Sequence, residues 1–215
     1  MYKKQAIYDS IYESAINKGF LGWGGNERLK KANEQIQLIL SKPYVPFSGK
    51  ILELGCGEGN LCRLFYEKGY KVSGVDISSV AIRWANEKNI TNETEIKYYH
   101  ADFSEPGFQL IERFDLIVDG NCLHCIIGNN RHFFLKNAFS NLSDNGIFFV
   151  SSLCSKDNKE HTIIKDGEPY RYIPTSKIIK SEIKKAGFEI LDINIHNRDE
   201  YNHINLFLRK MPITA

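Results

Sequence analysis

Residues 53–59, with the sequence ELGCGEG, have the residue types and spacing of a ligand-binding turn. Glycine has no side chain, so a ligand can lie against the bare backbone of such a turn. Backbone N–H groups at the start of a following helix can also bind an anionic part of the ligand. Glu53 stands in an otherwise apolar strand, where a carboxylate needs a partner. A cationic ligand or a set of backbone donors would supply that partner.

A second polar stretch, residues 119–127, has the sequence DGNCLHCII and follows another apolar segment. His124 is its candidate general base or substrate ligand, because imidazole has an unperturbed pKa near 6.5. The alternative is a histidine that is hydrogen-bonded at a junction between a strand and a helix. Cys122, His124 and Cys125 suggest zinc, but a structural zinc needs four ligands and no second Cys/His pair has ligand spacing. We therefore predict no metal site.

Apolar strands alternate with helical stripes along most of the chain, and this alternation must position both stretches. Strands are predicted at 51–54, 71–76, 95–100, 114–119, 147–153, 188–195 and 203–209. Helices are predicted at 59–68, 78–88, 131–141 and 175–186, with Ser78 as an N-cap and Gly187 as a C-cap. This order predicts a Rossmann-like, doubly wound α/β fold with a mostly parallel seven-stranded sheet. The last two strands have no helix between them, so we expect them to pair as an antiparallel hairpin.

The N-terminal part of the chain is predicted to be a helical cap. Residues 1–45 contain two helical stripes, which a glycine-rich stretch separates. We expect a single domain over 1–215, in which 1–45 is an N-terminal lid, 46–215 is the core and 154–173 is a lid insertion.

The glycine turn resembles motif I, E/D-x-G-x-G-x-G, of class I S-adenosylmethionine-dependent methyltransferases. Four more landmarks resemble that family and follow in its order, at residues 72–78, 101–103, 114–119 and 144–150. Together the landmarks cover roughly residues 45 to 210. The resemblance implies a methyltransferase that uses S-adenosylmethionine and releases S-adenosylhomocysteine.

The resemblance also implies roles for individual residues. The glycine turn would hold the methionine part of the cofactor, while Glu53 organises the turn or offsets the ammonium and sulfonium charges. Asp76 would accept hydrogen bonds from ribose hydroxyls, unless it is a helix cap or a surface acid. Asp102 would accept from the adenine amino group, and Ile77 and Phe103 would cover the two faces of the ring; a turn residue and a core ring are the alternatives for Asp102 and Phe103. The predicted cofactor-binding residues are Glu53, Gly55, Cys56, Gly57, Gly59, Asp76, Ile77, Asp102, Phe103, Asp119, Gly120 and Asn121.

Two segments that would flank the cleft are rich in aromatic residues and are expected to form the lid over the acceptor. Each aromatic residue taken alone could equally belong to the core, and Arg171 could form an ordinary salt bridge instead of meeting a substrate carboxylate or phosphate. The predicted substrate-binding residues are Tyr12, Trp23, Asn26, His124, Tyr170 and Arg171.

Composition limits the partners and the location of the protein. The 28 Lys and Arg residues against 26 Asp and Glu give a net charge of +2, which offers no excess for binding a nucleic acid. No apolar run approaches the roughly 20 residues of a membrane-spanning helix, and the N-terminus lacks the apolar block of a signal peptide. The five cysteines are an odd number, which favours reduced thiols. We therefore expect a cytoplasmic monomer or homodimer without nucleic-acid or membrane partners.

The predicted reaction is in-line transfer of a methyl group to an O, N or S atom of a small molecule. Alignment of the reactants can lower the barrier of such a step by roughly 7–11 kcal/mol. The Asn/Asp-Pro-Pro-Tyr/Phe signature of amino-methylating DNA enzymes is not found after the fourth strand, where the sequence is DGNC at 119–122. The alternatives are a non-catalytic S-adenosylmethionine-binding regulator and a protein methyltransferase. An NAD-dependent oxidoreductase is disfavoured because the turn reads G-x-G-x-G.

Overall fold

The computed structural model describes residues 2–212, and the side chains of residues 2, 3 and 26–30 lie outside that description. The chain forms two compact units, the first ending at Phe103 and the second beginning at Ser104. The first unit contains α1 (Tyr2–Asn17), α2 (Gly25–Leu40), β1 (Lys50–Leu54), α3 (Asn60–Glu67), β2 (Lys71–Asp76), α4 (Ser79–Asn92) and β3 (Lys97–His100).

The second unit continues the alternation of strands and helices. It contains β4 (Phe114–Asp119), a 3₁₀ turn (Leu123–Cys125), α5 (Asn130–Asn141), β5 (Leu142–Cys154), β6 (His161–Lys165), β7 (Glu168–Ile173), α6 (Ser176–Lys185), β8 (Phe188–His196) and β9 (Asn202–Lys210).

Seven of the strands form one sheet in the order β3-β2-β1-β4-β5-β9-β8. β1 and β2, β2 and β3, and β4 and β5 pair in parallel, whereas β9 is antiparallel to both β5 and β8. The predicted fold, a mostly parallel seven-stranded sheet with an antiparallel last strand, is confirmed.

Local capping signals explain where two of the helices begin. The Ser78 hydroxyl accepts a hydrogen bond from the Ala81 N–H at 3.1 Å, which confirms the predicted N-cap of α4. The Thr175 hydroxyl caps α6 in the same way, accepting from the Ile178 N–H at 3.2 Å. Gly187 follows α6 with a φ of 95°, the left-handed conformation that glycine adopts readily after a helix.

β5 begins earlier than the sequence predicts. The turn expected at 144–146 lies inside the strand, because the register with β4 passes from the pair Phe114 and Leu142 directly to the pair Leu116 and Ile147. Five steps along β5 thus match two along β4, which defines a bulge. A side chain at Gly146 would lie 2.9 Å from the Phe114 carbonyl oxygen, so the bulge requires glycine there.

The segment 154–173 contains a β-hairpin that the sequence analysis did not predict. β6 and β7 pair antiparallel as a separate two-stranded sheet. Asp166 and Gly167 connect them with φ angles of 52° and 80°. Positive φ at both residues of a two-residue loop defines a type I′ turn, for which Asp-Gly is a preferred sequence.

Candidate functional site

The glycine turn joins β1 to α3 and is tied to the neighbouring strand β2. The N–H groups of Gly55 and Cys56 both donate to the Val75 carbonyl, at 2.8 and 3.1 Å. Gly59 is the N-cap of α3, with a φ of 78° and no side chain to cap the helix. The first N–H groups of an α-helix have no intrahelical acceptor, so this end of α3 suits an anionic group.

Asp76, at the end of β2, joins the glycine turn to the start of α4. One carboxylate oxygen accepts from the Gly57 N–H at 2.9 Å and the other from the Ser78 N–H at 2.8 Å. Burial raises the pKa of Asp76 to about 6, although both hydrogen bonds act to lower it. Each carboxylate oxygen can accept more than one hydrogen bond. The predicted contact with ribose hydroxyls therefore remains compatible with this geometry and stays a prediction.

Glu53 lies in a buried polar layer under the glycine turn. Register places it opposite Gly74 of β2, which in turn pairs with Tyr98 of β3. A side chain at Gly74 would lie 2.8 Å from the Cys56 sulfur and 3.0 Å from the Cys62 sulfur. The missing side chain of Gly74 therefore makes room for the two thiols.

Burial determines the charge of Glu53. The side chain is 4% exposed, and its Oε2 accepts a hydrogen bond from the Cys62 thiol at 2.8 Å. Burial disfavours the carboxylate and raises the pKa of Glu53 to about 8, against the smaller opposing effect of the Cys62 hydrogen bond. Glu53 is therefore mostly protonated at neutral pH. The Tyr98 hydroxyl, in the same layer, is buried without a hydrogen-bond partner among the described residues.

The N-terminal helix α1 is held on α4 by a residue that the sequence analysis did not single out. The Asp9 carboxylate accepts from the Ser78 hydroxyl at 2.6 Å and from the Val80 N–H at 3.2 Å. Although partial burial acts to raise its pKa, the hydrogen bonds, chiefly that from Ser78, lower it overall. Asp9 therefore fixes α1 beside the end of β2.

Tyr12 brings α1 against the glycine turn. A side chain at Gly57 would lie 2.6 Å from the Tyr12 hydroxyl. Tyr12 is buried, and the Trp23 ring packs on it edge-on at 5.6 Å between ring centroids. Two of the predicted lid residues thus lie together in the first unit, and one of them borders the turn. The side chain of Asn26, the third predicted residue of this segment, lies outside the described residues.

The predicted adenine-binding residues follow the neighbouring strands β2 and β3. The Ala101 N–H donates to the Asp76 carbonyl at 3.0 Å, and a His100 ring nitrogen lies 3.1 Å from the Ile77 carbonyl. Asp102 and Phe103, which come next, are both buried. Their contact with an adenine ring stays a prediction.

In the second unit, Asp119 shapes the turn that follows β4. The carboxylate is fully buried and accepts from the N–H groups of Cys122 at 2.5 Å and Leu123 at 3.2 Å. Burial raises the pKa of Asp119 to about 7, against the two hydrogen bonds. Between these residues lie Gly120 and Asn121, and Asn121 has a φ of 75°. The predicted contacts of Asp119, Gly120 and Asn121 with the cofactor are not tested by this geometry.

His124 lies in the 3₁₀ turn and is buried. Its Nδ1 accepts a hydrogen bond from the Leu153 N–H at 3.4 Å. In a neutral imidazole that accepts at Nδ1, the hydrogen is on Nε2, which is then a donor. This contact matches the alternative of a histidine hydrogen-bonded at the junction, and the roles as a substrate ligand and as a general base both stay predictions.

Arg131 of α5 fixes the 3₁₀ turn, and no sequence signal had pointed to it. Its guanidinium donates to the Leu123 carbonyl at 2.6 Å and to the two carboxylate oxygens of Glu182 in α6, at 2.8 and 2.6 Å. It also lies 5.0 Å from the centroid of the Tyr172 ring in β7. Since Arg131 is only 3% exposed, it is a buried cation that connects α5 to three other elements, and its contact with Glu182 is bidentate.

The β6–β7 hairpin carries the other two predicted lid residues. The Tyr170 ring has two cations near it, with the Lys165 ammonium at 5.3 Å and the Arg171 guanidinium at 4.9 Å from its centroid. The Nε of Arg171 is buried without a hydrogen-bond partner in the described part of the chain. Their contact with a substrate stays a prediction.

Two further findings concern metals and membranes. All five cysteines are free thiols, and among residues 2–212 no three His, Cys, Asp or Glu side chains are grouped as a metal site. None of the described helices is both long enough and apolar enough to cross a membrane.

Comparison with known proteins identifies the family. A family described as methyltransferase domain matches residues 26–193, so the chain belongs to that family. An uncharacterised methyltransferase of Schizosaccharomyces pombe (strain 972 / ATCC 24843) is 31% identical over 80 residues, 37% of this chain and 54% of that protein. An uncharacterised methyltransferase of Staphylococcus carnosus (strain TM300) is 25% identical over 155 residues, 72% of this chain and 69% of that protein. The chain thus spans about half the length of the Schizosaccharomyces pombe relatives that it matches.

Solved structures show the same fold. The crystal structure of 1,6-didemethyltoxoflavin-N1-methyltransferase from Burkholderia thailandensis, with bound 1,6-didemethyltoxoflavin and S-adenosylhomocysteine, matches with a TM-score of 0.74. The match covers 98% of this chain and 90% of that one at 19% identity. The resemblance to class I S-adenosylmethionine-dependent methyltransferases is confirmed.

Proposed function

We propose that this protein transfers a methyl group from S-adenosylmethionine to an O, N or S atom of a small-molecule acceptor. The observation that carries the proposal is the glycine turn, whose Gly57 N–H is held by Asp76 at 2.9 Å. Family membership supports the reaction type. The small-molecule acceptor is supported by the Burkholderia thailandensis enzyme, whose structure contains 1,6-didemethyltoxoflavin.

The residues of the first unit suit such a cofactor. A side chain at Gly57 or Gly59 would collide with Tyr12 or Tyr98, so the packing of these two tyrosines on the turn requires glycine at both positions. The first N–H groups of α3 would bind the methionine carboxylate. Asp76 would bind the ribose, and Glu53 would stabilise the ammonium and sulfonium charges of the cofactor. When bound, the cofactor supplies a methyl group bonded to a sulfonium sulfur. The leaving group is then the neutral thioether of S-adenosylhomocysteine, which departs easily. The chain's own part is then to align the acceptor and to exclude water.

The cofactor assignment predicts selective stabilisation by ligands. Addition of S-adenosylmethionine or S-adenosylhomocysteine at about 100 times its dissociation constant should stabilise the protein by about 2.7 kcal/mol. For a chain of this size that corresponds to a rise in melting temperature of roughly 5–11 °C. Thermal-shift measurements with both compounds, and with NAD as the comparison, test this. A shift with NAD alone would contradict the assignment.

Cofactor binding is also expected to release a proton from Glu53. The carboxyl has a folded-state pKa of about 8, so the ligand-free protein keeps the proton at pH 7. A bound ammonium and sulfonium favour the carboxylate and lower that pKa. Affinity for S-adenosylmethionine should therefore increase as pH rises from about 6 to 8, and Glu53→Gln should flatten this dependence. Calorimetry in buffers of different ionisation enthalpy measures the released proton.

In the ligand-free protein, the raised pKa of Glu53 makes the folded state less stable as pH rises. Between the ordinary glutamate pKa of 4.5 and about 8, Glu53 binds more protons in the folded protein than in the unfolded one, so its contribution to stability is lost as pH rises through that window. Glu53→Gln should reduce this loss, although the buried Asp76 and Asp119 contribute to it in the same direction. Equal pH dependence of the melting temperature in both proteins would show that Glu53 is ionised in the ligand-free state.

The proposed role of His124 as a substrate ligand predicts a specific kinetic pattern. His124→Gln keeps a side-chain N–H donor, so methyl transfer to an acceptor found by screening should decrease less than about tenfold. His124→Ala should decrease kcat/KM by about ten- to a hundredfold, the loss of one hydrogen bond to a charged or polar group. Radiolabelled methyl transfer over a range of pH measures both. An equal loss of activity in His124→Gln and His124→Ala would instead indicate a general base.

A further inference from the structure

Asn121 combines an unusual backbone conformation with a side chain held by distant residues. Its φ of 75° is in the left-handed region, which is uncommon for a residue other than glycine. Such strain persists where surrounding contacts enforce it, and it is concentrated at ligand sites. The residue lies two positions after the end of β4, at the carboxyl edge of the parallel strands, which is where open α/β sheets bind ligands.

His203 of β9 is the main residue that holds Asn121. Its Nε2 lies 2.6 Å from the Asn121 Oδ1, and the two residues are 82 positions apart. With its amide oxygen towards the ring, Asn121 can only accept there, and this orientation requires His203 to carry its hydrogen on Nε2. Burial, together with the nearby Arg198 and His196, lowers the pKa of His203 to about 4, which keeps the ring neutral. A neutral ring with Nε2–H is a fixed donor to Asn121.

A second donor supports the same orientation. The Ser151 hydroxyl of β5 lies 3.3 Å from the Asn121 Oδ1 and 3.0 Å from the Asn205 Oδ1, so it can donate to either oxygen. Asn205 is held in turn by His196, with 3.3 Å between the Asn205 Nδ2 and the His196 Nε2. The Ser151 hydroxyl has one hydrogen and its shorter contact is with Asn205, so His203 is the main donor to the Asn121 oxygen and Ser151 is a second one only when it turns from Asn205.

This arrangement leaves one part of the Asn121 side chain for a ligand. The amide oxygen faces Ser151 and His203, which are buried, whereas Asn121 itself is only partly buried. The opposite corner of the carboxamide is its Nδ2, a group with two hydrogens to donate. Its natural partner is a carbonyl or carboxylate oxygen.

We propose that His203 is a positioning residue that orients the Asn121 carboxamide, so that Asn121 donates through Nδ2 to a carbonyl or carboxylate oxygen of a bound ligand. The inference rests on the proposed methyl transfer, in which two ligands offer such an oxygen. One is the carboxylate of S-adenosylmethionine, and the other is an oxygen of the methyl acceptor. Asn121 is the ligand contact, and His203 acts only through it.

NMR spectroscopy of the ¹⁵N-labelled full chain tests the orientation directly. Long-range correlations of the His203 ring, identified by their loss in His203→Gln, should show the Nε2–H tautomer. The Nδ1–H tautomer would place a lone pair against Asn121 and would overturn the inference, because the amide would then have to point Nδ2 inward. This result does not depend on any ligand.

The Asn121 side-chain amide resonances then identify the source of the oxygen. A shift of these resonances with S-adenosylhomocysteine assigns the contact to the cofactor carboxylate. A shift with sodium acetate, added to the S-adenosylhomocysteine complex, assigns it to the acceptor. No shift of the Asn121 amide with either probe overturns the inference. If S-adenosylhomocysteine perturbs no resonance anywhere, the proposed function fails, while the tautomer result still stands.

Variants separate positioning from a structural role. One of the two probes, S-adenosylhomocysteine or sodium acetate, is expected to shift the Asn121 amide of the parent protein. In His203→Ala this shift should be lost, and the affinity for that probe should fall about tenfold. His203→Gln keeps an N–H donor at similar reach and should restore both. His132→Ala, which removes an exposed histidine of α5, is the matched control and should change neither. A failure of His203→Gln to restore the response, with its melting temperature unchanged, would count against the inference.

Discussion

Replacement of Gly59 by alanine is expected to abolish binding of S-adenosylhomocysteine and to destabilise the protein by about 2–5 kcal/mol. The residue has a φ of 78°, and an added Cβ would lie 2.1 Å from the Tyr98 hydroxyl and 2.6 Å from the ring carbon that bears it. Either the turn or the tyrosine must move. Movement of the turn shifts the first N–H groups of α3, which the proposed cofactor site needs. Calorimetric titration and urea unfolding measure the two effects.

Gly69 provides the matched control for this experiment. It has a similar left-handed φ of 89°, but an added Cβ there would meet nothing within 4 Å. Gly69→Ala should therefore show only the backbone cost of about 1–2 kcal/mol and should leave ligand binding intact. Tyr98→Leu, combined with Gly59→Ala, should recover part of the lost affinity. If Gly59→Ala and Gly69→Ala lost equal stability and kept equal affinity for S-adenosylhomocysteine, the Tyr98 contact would play no part.

Replacement of Arg131 by methionine is expected to destabilise the protein by about 3–5 kcal/mol. The change leaves the Leu123 carbonyl without its donor and leaves Glu182 without its bidentate partner. Methionine retains much of the volume, so the loss reports the polar contacts rather than a cavity. Arg131→Lys should give an intermediate loss, because lysine keeps the charge but cannot form the planar fork. The midpoint of urea unfolding measures each variant.

Arg209→Met is the control for the loss of an arginine–glutamate pair. Arg209 is paired with Glu189 at 2.8 Å, but both side chains are largely exposed, at 51% and 42%. Exposed pairs contribute about 0–1 kcal/mol, so this variant should unfold close to the parent protein. If Arg131→Met lost no more stability than Arg209→Met, the buried guanidinium would not be what fixes the 3₁₀ turn.

Features with a local signal could be predicted from the sequence, and long-range pairs could not. Strand and helix order, the glycine turn and the Ser78 cap each depend on residues within a few positions of one another. The contacts of Asp9 with Ser78 and of Asn121 with His203 join residues 69 and 82 positions apart, and polar residues carry no pattern that indicates such a partner.

Two local features of the fold differ from what the sequence predicts, for different reasons. The Asp-Asn-Gly sequence at 144–146 has the composition of a turn, but the strand continues through it by a bulge. The Asp166–Gly167 pair has the composition of a hairpin turn, but the segment around it is polar and does not predict strands. At 144–146 the composition thus indicates the bulge correctly, but it does not indicate where β5 begins.

The attachment of α1 by Asp9 has a consequence for the rate at which ligands exchange. If α1 opened while the strands stayed paired, it would lose the hydrogen bonds of that one carboxylate and also the apolar contacts of Tyr12 with Val80 and Ala81. Such an opening removes Tyr12 from beside Gly57. Association and dissociation at the glycine turn would then be limited by how often one helix detaches. Acid would accelerate both, because protonation of Asp9 weakens its hold on Ser78 and Val80.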